Sequence, residues 1–429
     1  MKKIAFKTLG CRLNQYETDA LASRFHKGSY QLVDFSDEAD IYVVNTCTVT
    51  NQSDQKSRQT INAARKISND AIVVVTGCMA NNYKQSLLEN TGITYVVDNE
   101  RKSSIFSIVE SHYRGEVADP EGFDKDLFSY DPAQKTFHTR SMIKIQDGCD
   151  NFCTFCIIPK VRGRAASRPA QEIYDNIREV VDFGFKEVVL TGVNIGRYQD
   201  GALNFEQLVA NILELPGDFR LRISSIEPDG FSDRFFDMFA NPKLSPHLHL
   251  CLQSGSEDIL LKMRRMYTAK QFMSMAEKLR TMYPGFNLTT DIIVGFPGET
   301  EEDFGKTITM AKELAFSHIH TFKYSVRSGT RAERMADQLP EKVKNQRSEL
   351  IRAISDENKR AYLNKMIGRQ QRLLVERVGA DHVVRGYGEH YIPIRIKEKG
   401  IEKNSFVPVT LTGIHEGKEL SLEAVVNRV

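Results

Sequence analysis

Three cysteines, Cys149, Cys153 and Cys156, stand close together in one segment with the spacing C-x3-C-x2-C. Three thiolates at this spacing can hold three irons of a 4Fe–4S cube, and because no fourth cysteine follows, the last iron keeps a free coordination site. An open site on a redox cluster can bind and reduce a substrate. The alternatives are a zinc site or reduced, buried cysteines, but zinc sites usually pair C-x2-C with a second such pair or with histidines. The loop therefore predicts an iron–sulfur centre.

Three further cysteines, Cys11, Cys47 and Cys78, lie shortly after predicted strands in the amino-terminal part of the chain. Short apolar runs alternate there with amphipathic stretches, an order typical of an open parallel sheet covered by helices. The carboxyl ends of parallel strands lie at one edge of the sheet, where ligands bind, so residues far apart in sequence can meet. We therefore expect a second three-thiolate site.

The seventh cysteine, Cys251, interrupts an alternating predicted strand and is interpreted as a small buried hydrophobic residue. His247 and His249 share one face of the same strand. Because no third ligand lies near them in sequence, a packed pair in the core or at its rim is favoured over a metal site.

The composition sets the class of protein. A chain of 429 residues with 41% apolar residues can bury more than one core, which predicts two or three domains. Lysine and arginine (58) nearly balance aspartate and glutamate (56), so any contact with nucleic acid must come from local patches. A lysine at position 7 argues against a signal peptide, and no apolar stretch is long enough to span a bilayer, so we expect a cytoplasmic protein without a membrane partner. In a reducing compartment, seven cysteines indicate metal binding before disulfides.

The middle of the chain alternates strand candidates with helical patterns, and the first candidate leads directly into the Cys149 loop. The six candidates are residues 142–145, 187–190, 221–224, 248–252, 288–293 and 318–324. Such repeats favour a partial (βα)6 barrel, short of the eight units of a full barrel, with its chemistry at the carboxyl ends of the strands.

The tail has another pattern, since short apolar runs separated by glycine and charged residues indicate a small antiparallel barrel. Before the central barrel, a polar stretch containing Asp119-Pro120 and Asp131-Pro132 is interpreted as a linker. We therefore predict an α/β protein with an open parallel sheet, a partial barrel and an all-β barrel. The predicted boundaries are 1–115 for the first domain, 116–138 for the linker, 139–366 for the central barrel and 367–429 for the last domain.

The Cys149 loop resembles the defining motif of the radical S-adenosylmethionine superfamily, C-x3-C-x-aromatic-C, with Phe155 in the aromatic place. The resemblance implies that the unique iron chelates the amino and carboxylate groups of S-adenosylmethionine. Electron transfer then breaks the sulfonium bond and gives a 5′-deoxyadenosyl radical.

Residues 10–17, 45–50, 76–80 and 252–256 resemble the methylthiotransferases within that superfamily. This family implies a second 4Fe–4S cluster on Cys11, Cys47 and Cys78, and a carboxyl-terminal RNA-binding barrel called the TRAM domain. Both expectations coincide with the cysteine trio and the all-β tail that the residues predict unaided.

The flanks of the motifs resemble one branch of this family, which modifies N6-threonylcarbamoyladenosine (t6A) beside the anticodon of tRNA. They are the arginine after Cys11, residues 48–50 after Cys47, and residues 146–148 before Cys149. The resemblance implies that one S-adenosylmethionine methylates a sulfur held on the amino-terminal cluster, while a second supplies the radical that activates carbon 2 of the adenine. That C–H bond offers no acidic proton, so general-base chemistry would not reach it.

The resemblance also implies contacts to S-adenosylmethionine from residues at the strand ends of the barrel. Segment 291–299 resembles the adenine-contacting strand of the superfamily, although aspartate stands where glycine is common. Ordinary turn and capping roles are the alternative for each position. The expected cofactor-binding residues are Phe155, Gly192, Asn194, Ser225, Glu227, Gln253 and Asp291.

Basic and aromatic residues in two places suggest contacts to RNA. Arg162, Arg164 and Arg168 follow the cluster loop and can hold phosphates, with a solvated basic run as the alternative. In the tail, charge and aromatic faces combine as in barrels that bind unpaired nucleotides, with core aromatics as the alternative. The residues concerned there are Arg385, Tyr387, Tyr391 and Arg395.

The expected partners are tRNA bearing t6A, an external electron donor and a sulfur source, and the protein is expected to be a monomer. Two other functions stay open. One keeps the radical chemistry but acts on an aspartate of a ribosomal protein. The flanks of the amino-terminal cysteines argue against this function. The other is an RNA-binding iron–sulfur regulator without turnover, which predicts no 5′-deoxyadenosine when the reduced protein meets S-adenosylmethionine.

Overall fold

The computed structural model describes residues 1–28, 30–116, 118–130 and 139–427, which form three parts. The elements of the first part are β1 (Lys3–Thr8), α1 (Arg12–Lys27), β2 (Gln31–Val33), β3 (Ile41–Thr46), α2 (Asn51–Ile67), β4 (Ile72–Gly77), α3 (Cys78–Asn82), α4 (Lys84–Leu88), β5 (Tyr95–Val97) and α5 (Ile105–Tyr113). Of the predicted linker, residues 117 and 131–138 lie outside the described residues, and with them Asp131-Pro132.

The first part is a parallel five-stranded sheet in the order β2-β1-β3-β4-β5. Strands β3 and β4 are buried along their whole length, because helices cover both faces of the sheet. Each face therefore has its own core: Phe25, Ile41 and Val74 pack on one side, and Tyr42 and Val75 on the other. The continuous apolar runs in the sequence reflect this double cover.

The central part contains the six predicted strands within one or two residues of their expected bounds. Its elements are β6 (Arg140–Lys144), β7 (Gln146–Asp147), α6 (Ile158–Val161), β8 (Ala166–Ser167), α7 (Ala170–Asp182), β9 (Glu187–Thr191), β10 (Gln199–Asp200), β11 (Leu203–Asn204), α8 (Phe205–Leu213), β12 (Arg220–Ile223), β13 (Ser225–Ile226), α9 (Asp233–Asp237), β14 (His247–Gln253), α10 (Glu257–Lys262), α11 (Ala269–Met282), β15 (Asn287–Val294), α12 (Glu301–Glu313), β16 (His318–Lys323) and α13 (Glu341–Met366).

The six long strands run parallel in chain order, β6-β9-β12 and then β14-β15-β16. A parallel bridge between Leu221 and Leu244 links the two halves. Because all strands point the same way, the Cys149 loop after β6 and β7 lies at the same end as the last residues of β14 and β15. Helices α7, α8, α11 and α12 cover the outside and bury the largest core of the molecule.

The last part is a closed barrel of β17 (Gln370–Val378), β18 (Val383–Tyr387), β19 (Pro393–Lys397), β20 (Phe406–His415) and β21 (Ser421–Val426), in the order β17-β18-β19-β21-β20. Helix α13 connects it to the central barrel, since Ile351 and Ile354 pack in the central core and Leu363 and Met366 in the small one. The mixed α/β class and the closed carboxyl-terminal barrel are thus confirmed.

The barrel differs from the antiparallel prediction at one pairing. Strands β19 and β21 are parallel, with Ile394 opposite Leu422, and the other four pairs are antiparallel. A closed ring with an odd number of strands cannot alternate direction throughout, so one pair must be parallel. Among the described residues, no helix combines the length and the apolar character needed to cross a membrane.

Candidate active site

The Cys149 loop turns its backbone amides toward its sulfurs. The amide of Asn151 approaches the Cys149 Sγ to 3.5 Å, and the amide of Ile158 approaches the Cys156 Sγ to the same distance. Gly148 makes the turn possible, since its φ is +68° and a Cβ there would lie 1.9 Å from the carbonyl oxygen of Arg164. Only glycine tolerates that conformation and that approach. The loop is therefore shaped to present thiolates stabilised by N–H donors.

Arg265 adds a positive charge that the sequence analysis missed. Its Nη1 lies 3.2 Å from the Cys153 Sγ, and its Nη2 lies 2.9 Å from the carboxylate of Glu227. Glu227 also accepts from Asn151 of the loop at 2.7 Å. No motif marks Arg265, because it follows α10, more than a hundred residues after the loop.

The donor set of this loop fits an iron–sulfur cluster. Burial raises the pKa of the Cys156 thiol to about 12, and it also raises the pKa values of Cys149 and Cys153. Burial thus opposes ionisation of these thiols, and a bound metal cation would stabilise the thiolates. Three cysteines on one loop, with N–H donors near their sulfurs, can supply three ligands of a 4Fe–4S cube.

The structure brings the other three cysteines together at the carboxyl ends of β1, β3 and β4. Register places Thr46 opposite Gly77, so Cys47 and Cys78 leave neighbouring strands side by side. A Cβ on Gly10, whose φ is +92°, would lie 2.8 Å from the Cys47 Sγ, which places Cys11 beside Cys47. The convergence that the sequence predicted is present, and ligation of a cluster there stays a prediction.

Arg162 links this trio to the Cys149 loop through a buried ion network. Its guanidinium donates to Asp147 at 2.9 Å and to Glu17 of α1 at 3.2 Å. Lys144 bonds both acids, and Lys102 reaches Glu17 as well. Burial would raise the pKa of Glu17, but Arg162, Lys102 and Lys144 hold it well below its usual value.

The network carries three cations against two carboxylates, and all five side chains are buried. Burial raises the pKa of the Cys78 thiol, while the charges of Arg162 and Lys102 oppose that rise. The surplus positive charge therefore favours anionic sulfur at the trio.

The residues expected to contact S-adenosylmethionine surround the Cys149 loop. The backbone amide of Asn194 donates to Gln146 at 2.8 Å, and its side-chain nitrogen lies 4.0 Å from the Cys149 Sγ. Gly192 packs against Gln146, because a Cβ on it would lie 2.7 Å from the Gln146 carbonyl oxygen. Ser225 lies in β13, next to β14.

A pocket of about 190 Å³ adjoins this loop. Phe155, Cys156, Gln253 and Asp291 line it, together with Thr50 from the first part. Gln253 is buried at a φ of +68°, and its side-chain oxygen has no hydrogen-bond partner within the described part of the chain. A strained, unpartnered amide beside cluster ligands is a typical ligand contact. Individual roles in binding the cofactor stay predictions.

The structure corrects the expectation for two of the three arginines after the loop. Arg162 is only 3% exposed and is held by the buried ion network, so its guanidinium does not reach a phosphate. Arg168 is 6% exposed and bonds Asn176 at 2.9 Å and Glu172 at 3.2 Å. Arg164 is exposed, pairs with Asp150 and lies over the Phe152 ring. Sequence alone marks charge and not burial, which explains the error.

In the carboxyl-terminal barrel, Arg385 is exposed, whereas Arg395 is half-buried and bonds His415. Tyr387 is half-buried. It stacks on Tyr391 with 4.8 Å between ring centroids, and the Arg140 guanidinium lies 4.8 Å from its ring centre. Both rings pack at the amino-terminal end of the central barrel, and a contact of Tyr387 with a nucleotide stays a prediction.

Inside the central barrel, the histidines form more than the packed pair that the sequence suggested. His249 lies 3.2 Å from the Asp291 carboxylate, and His318 lies 3.2 Å from His320 on β16. The signal was present as two H-x-H patterns on strands that the fold places in one sheet. Cys251 lies near Asp291, and ligand atoms of His249, Cys251 and Asp291 all lie within 4.8 Å of one another.

Two families match the chain. Residues 143–311 match the radical SAM superfamily, and residues 3–98 match a family described as uncharacterized protein family UPF0004. Among solved structures, the radical S-adenosylmethionine methyltransferase TsrM from Kitasatospora setae superposes with a TM-score of 0.55 at 16% identity and covers 75% of each chain. This likeness shows the fold. The three-cysteine loop on a partial barrel thus defines a radical S-adenosylmethionine enzyme.

Curated relatives extend the match over almost the whole chain. The threonylcarbamoyladenosine tRNA methylthiotransferase MtaB of Bacillus subtilis is 38% identical over 92% of this chain and 91% of its own length. The enzyme of that name from Thermotoga maritima is 35% identical over 100% of this chain and 97% of its own length. A tRNA-2-methylthio-N6-dimethylallyladenosine synthase from Burkholderia thailandensis is 32% identical over 87% of this chain and 85% of its own length. The chain belongs to the methylthiotransferase family of radical S-adenosylmethionine enzymes. Its cofactors are S-adenosylmethionine and two 4Fe–4S clusters, as predicted.

Proposed function

We propose that the protein is a tRNA methylthiotransferase that converts t6A next to the anticodon to its 2-methylthio derivative. One S-adenosylmethionine would donate the methyl group and another would be the source of the radical. One observation carries the proposal: Arg162 and Glu17 hold the two cysteine trios in one buried network. The four MtaB relatives, at 33% to 38% identity, support the choice of t6A.

In this proposal the two trios have separate tasks. Cys149, Cys153 and Cys156 would hold the cluster that supplies an electron to S-adenosylmethionine, and Cys11, Cys47 and Cys78 the cluster that supplies sulfur. Asn194, Glu227, Gln253 and Asp291 lie at the barrel end where S-adenosylmethionine would bind. Arg265 and Asn151 orient Glu227 beside that site. The pocket beside Cys156 and Thr50 lies between the first and the central part of the chain, where the adenine would enter.

The closed five-stranded barrel would act as a TRAM domain that binds tRNA. Arg385 and Arg164 are exposed cations suited to phosphate contacts. Arg385→Gln is expected to weaken tRNA binding and to reduce the salt slope of the binding constant by about one unit. An unchanged slope in titrations at several salt concentrations would exclude Arg385 from the interface.

The experiment that tests the function is mass spectrometry of nucleosides from tRNA incubated with the anaerobically reconstituted protein, reductant and S-adenosylmethionine. A methylthio group gained on t6A supports the proposal. A gain on dimethylallyladenosine would assign the chain to the other tRNA branch, and a gain on a ribosomal-protein aspartate would assign it to the protein-modifying branch. Without any 5′-deoxyadenosine, the protein would be a non-catalytic regulator.

Two cysteine variants separate the tasks of the clusters. Alanine at Cys149, Cys153 and Cys156 should abolish cleavage of S-adenosylmethionine. Alanine at Cys11, Cys47 and Cys78 should keep cleavage, stop sulfur insertion and lower iron from about eight to about four per chain. Sulfur transfer that survives the second change would exclude the assignment of the amino-terminal cluster.

A further inference from the structure

A cavity of about 220 Å³ lies where all three parts of the chain meet. We call it the arginine–histidine cavity. Arg12 enters it from the start of α1. Tyrosines of the carboxyl-terminal barrel line the cavity at the amino-terminal end of the central barrel. The residues that matter for its chemistry are Arg12, His247, His249, His320, Lys359 and Tyr391.

The cavity carries uncompensated positive charge. The Arg12 guanidinium lies 5.9 Å from the centre of the Tyr391 ring, and within the described ranges it forms no ion pair with a carboxylate. Arg222 lies 4.0 Å from the same ring centre; its Nε pairs with Glu187 at 3.2 Å, while its Nη1 has no hydrogen-bond partner among the described residues. Among the described residues, the Arg12 guanidinium thus lies near a phenol ring and a second cation but pairs with no carboxylate, so an anion is missing beside Arg12.

The acids at the cavity do not fill that role. Glu419 lies 3.4 Å from Lys359, and Asp291 lies 3.2 Å from His249. His247 is 2% exposed and lines the cavity, and its Nδ1 has no partner in the described structure. Burial would raise the pKa of Tyr391, but Arg222, Arg12 and Arg140 lower it below its usual value, which reflects the positive potential. The cavity therefore combines unpaired donors with a field that attracts an anion.

The cavity also adjoins the reaction centre from two sides. Arg12 follows Cys11, a proposed ligand of the amino-terminal cluster, directly in sequence. Asp291 contacts His249 of the cavity and lines the pocket beside Cys156. If an adenine lies between the two cysteine trios, a substituent on its N6 would therefore reach the cavity.

We propose that the arginine–histidine cavity binds the carboxylate of an amino-acid substituent on the adenine N6, with Arg12 as the residue that determines specificity. The inference rests on the proposed function and deepens it. A planar guanidinium can hold a carboxylate through two parallel hydrogen bonds. A neutral alkyl substituent has no group to compensate Arg12 and would leave the half-buried guanidinium without an anionic partner. The cavity therefore selects the threonylcarbamoyl over the dimethylallyl substituent.

The first test changes the substrate and leaves the protein intact. Wild-type holoenzyme is given anticodon stem-loop RNA bearing t6A, or the same RNA with the t6A carboxylate blocked as its methyl ester. Loss of one charge-assisted contact predicts that kcat/KM falls about 10- to 100-fold for the ester. The dissociation constant, measured by fluorescence anisotropy, should rise in parallel. Equal kcat/KM and equal affinity for both RNAs would overturn the inference while the proposed function stands. Methylthiolation of neither RNA would overturn both.

The second test changes Arg12. Arg12→Gln should bring kcat/KM and affinity for t6A RNA down to the values for the ester, and should remove the difference between the two RNAs. Arg12→Lys should retain part of the difference, since the charge remains but the two parallel bonds do not. Arg178→Gln, on the exposed face of α7, removes the same charge elsewhere and should keep the full difference between the two RNAs. A full preference for t6A in Arg12→Gln would contradict the inference. Iron content and absorption spectra verify cluster loading, and if Arg12→Gln loses a cluster, the ester comparison on the wild type decides.

Discussion

The Arg162 guanidinium lies 3.2 Å from the Glu17 carboxylate, although 145 residues separate them in sequence. Through this pair, the helix that follows Cys11 is joined to the segment that follows the Cys149 loop. Asp147, directly before that loop, accepts from the same guanidinium. A buried ion network therefore joins the two parts of the chain that carry the cysteine trios.

Glu17→Gln should weaken the contact between the first two parts of the chain. Removing one partner of a buried ion network leaves uncompensated charge and typically costs about 3–5 kcal/mol. We expect a lower unfolding temperature and loss of iron from the amino-terminal trio, seen by calorimetry and iron analysis. Glu349→Gln, on the exposed face of α13, is the matched control and should change neither quantity. A Glu17→Gln protein with wild-type melting and iron content would show that the network does not hold the trios.

Gly148→Ala should disrupt the loop that carries Cys149. The new Cβ would collide with the Arg164 carbonyl oxygen at 1.9 Å, and a φ of +68° is strained for alanine by about 1–3 kcal/mol. We expect cleavage of S-adenosylmethionine, assayed as 5′-deoxyadenosine, to fall by more than about tenfold. Gly305→Ala in α12 meets open space and should instead stabilise the helix by about 0.5–1 kcal/mol. Normal cleavage by Gly148→Ala would mean that the loop adopts another conformation.

Arg265→Gln should make the cluster at Cys149, Cys153 and Cys156 harder to reduce. The guanidinium lies 3.2 Å from the Cys153 Sγ, and a nearby positive charge stabilises the reduced, more negative state of a cluster. Its loss is expected to lower the potential by on the order of 50 mV, a tenfold change in electron affinity. A redox titration followed by electron paramagnetic resonance measures the shift. Arg264→Gln removes the neighbouring, exposed charge and should leave the reduction potential nearly unchanged. Equal shifts of the potential in both variants would contradict a specific effect of Arg265.

Glu187 should make stability depend on pH at the amino-terminal end of the central barrel. Burial would raise its pKa, but Arg220, Arg222 and Arg140 lower it to about 2. Because the folded pKa lies below the unfolded one, the stabilisation is complete above the ordinary carboxyl range and is lost as pH falls through about 4 toward 2. The loss amounts to about 3 kcal/mol.

Calorimetry of the wild type and Glu187→Gln between about pH 6 and pH 3 tests this dependence. The variant should melt lower near neutral pH, because Arg220 and Arg222 lose their partner, and the two melting curves should approach each other in acid. A difference in melting temperature that stays constant across the pH range would show that Glu187 does not cause the pH dependence.

The sequence by itself determined the chemistry and the elements that carry it. The C-x3-C-x2-C spacing, the six strands of the central part and the short apolar runs of the tail are local patterns, and local patterns follow from backbone periodicity and ligand spacing. The convergence of Cys11, Cys47 and Cys78 was predictable too, because parallel strands end at one edge of a sheet.

Only the tertiary structure decided which charged groups are buried and what they face. From the sequence, Arg162 is expected to be a surface cation, but the fold encloses it between Glu17 and Asp147. The sequence marks Arg12 only by its resemblance to one branch of the family, whereas the fold places its side chain in a cavity that all three parts of the chain line. The physical reason is that burial and electrostatic compensation depend on contacts between residues more than a hundred positions apart, which no local spacing records.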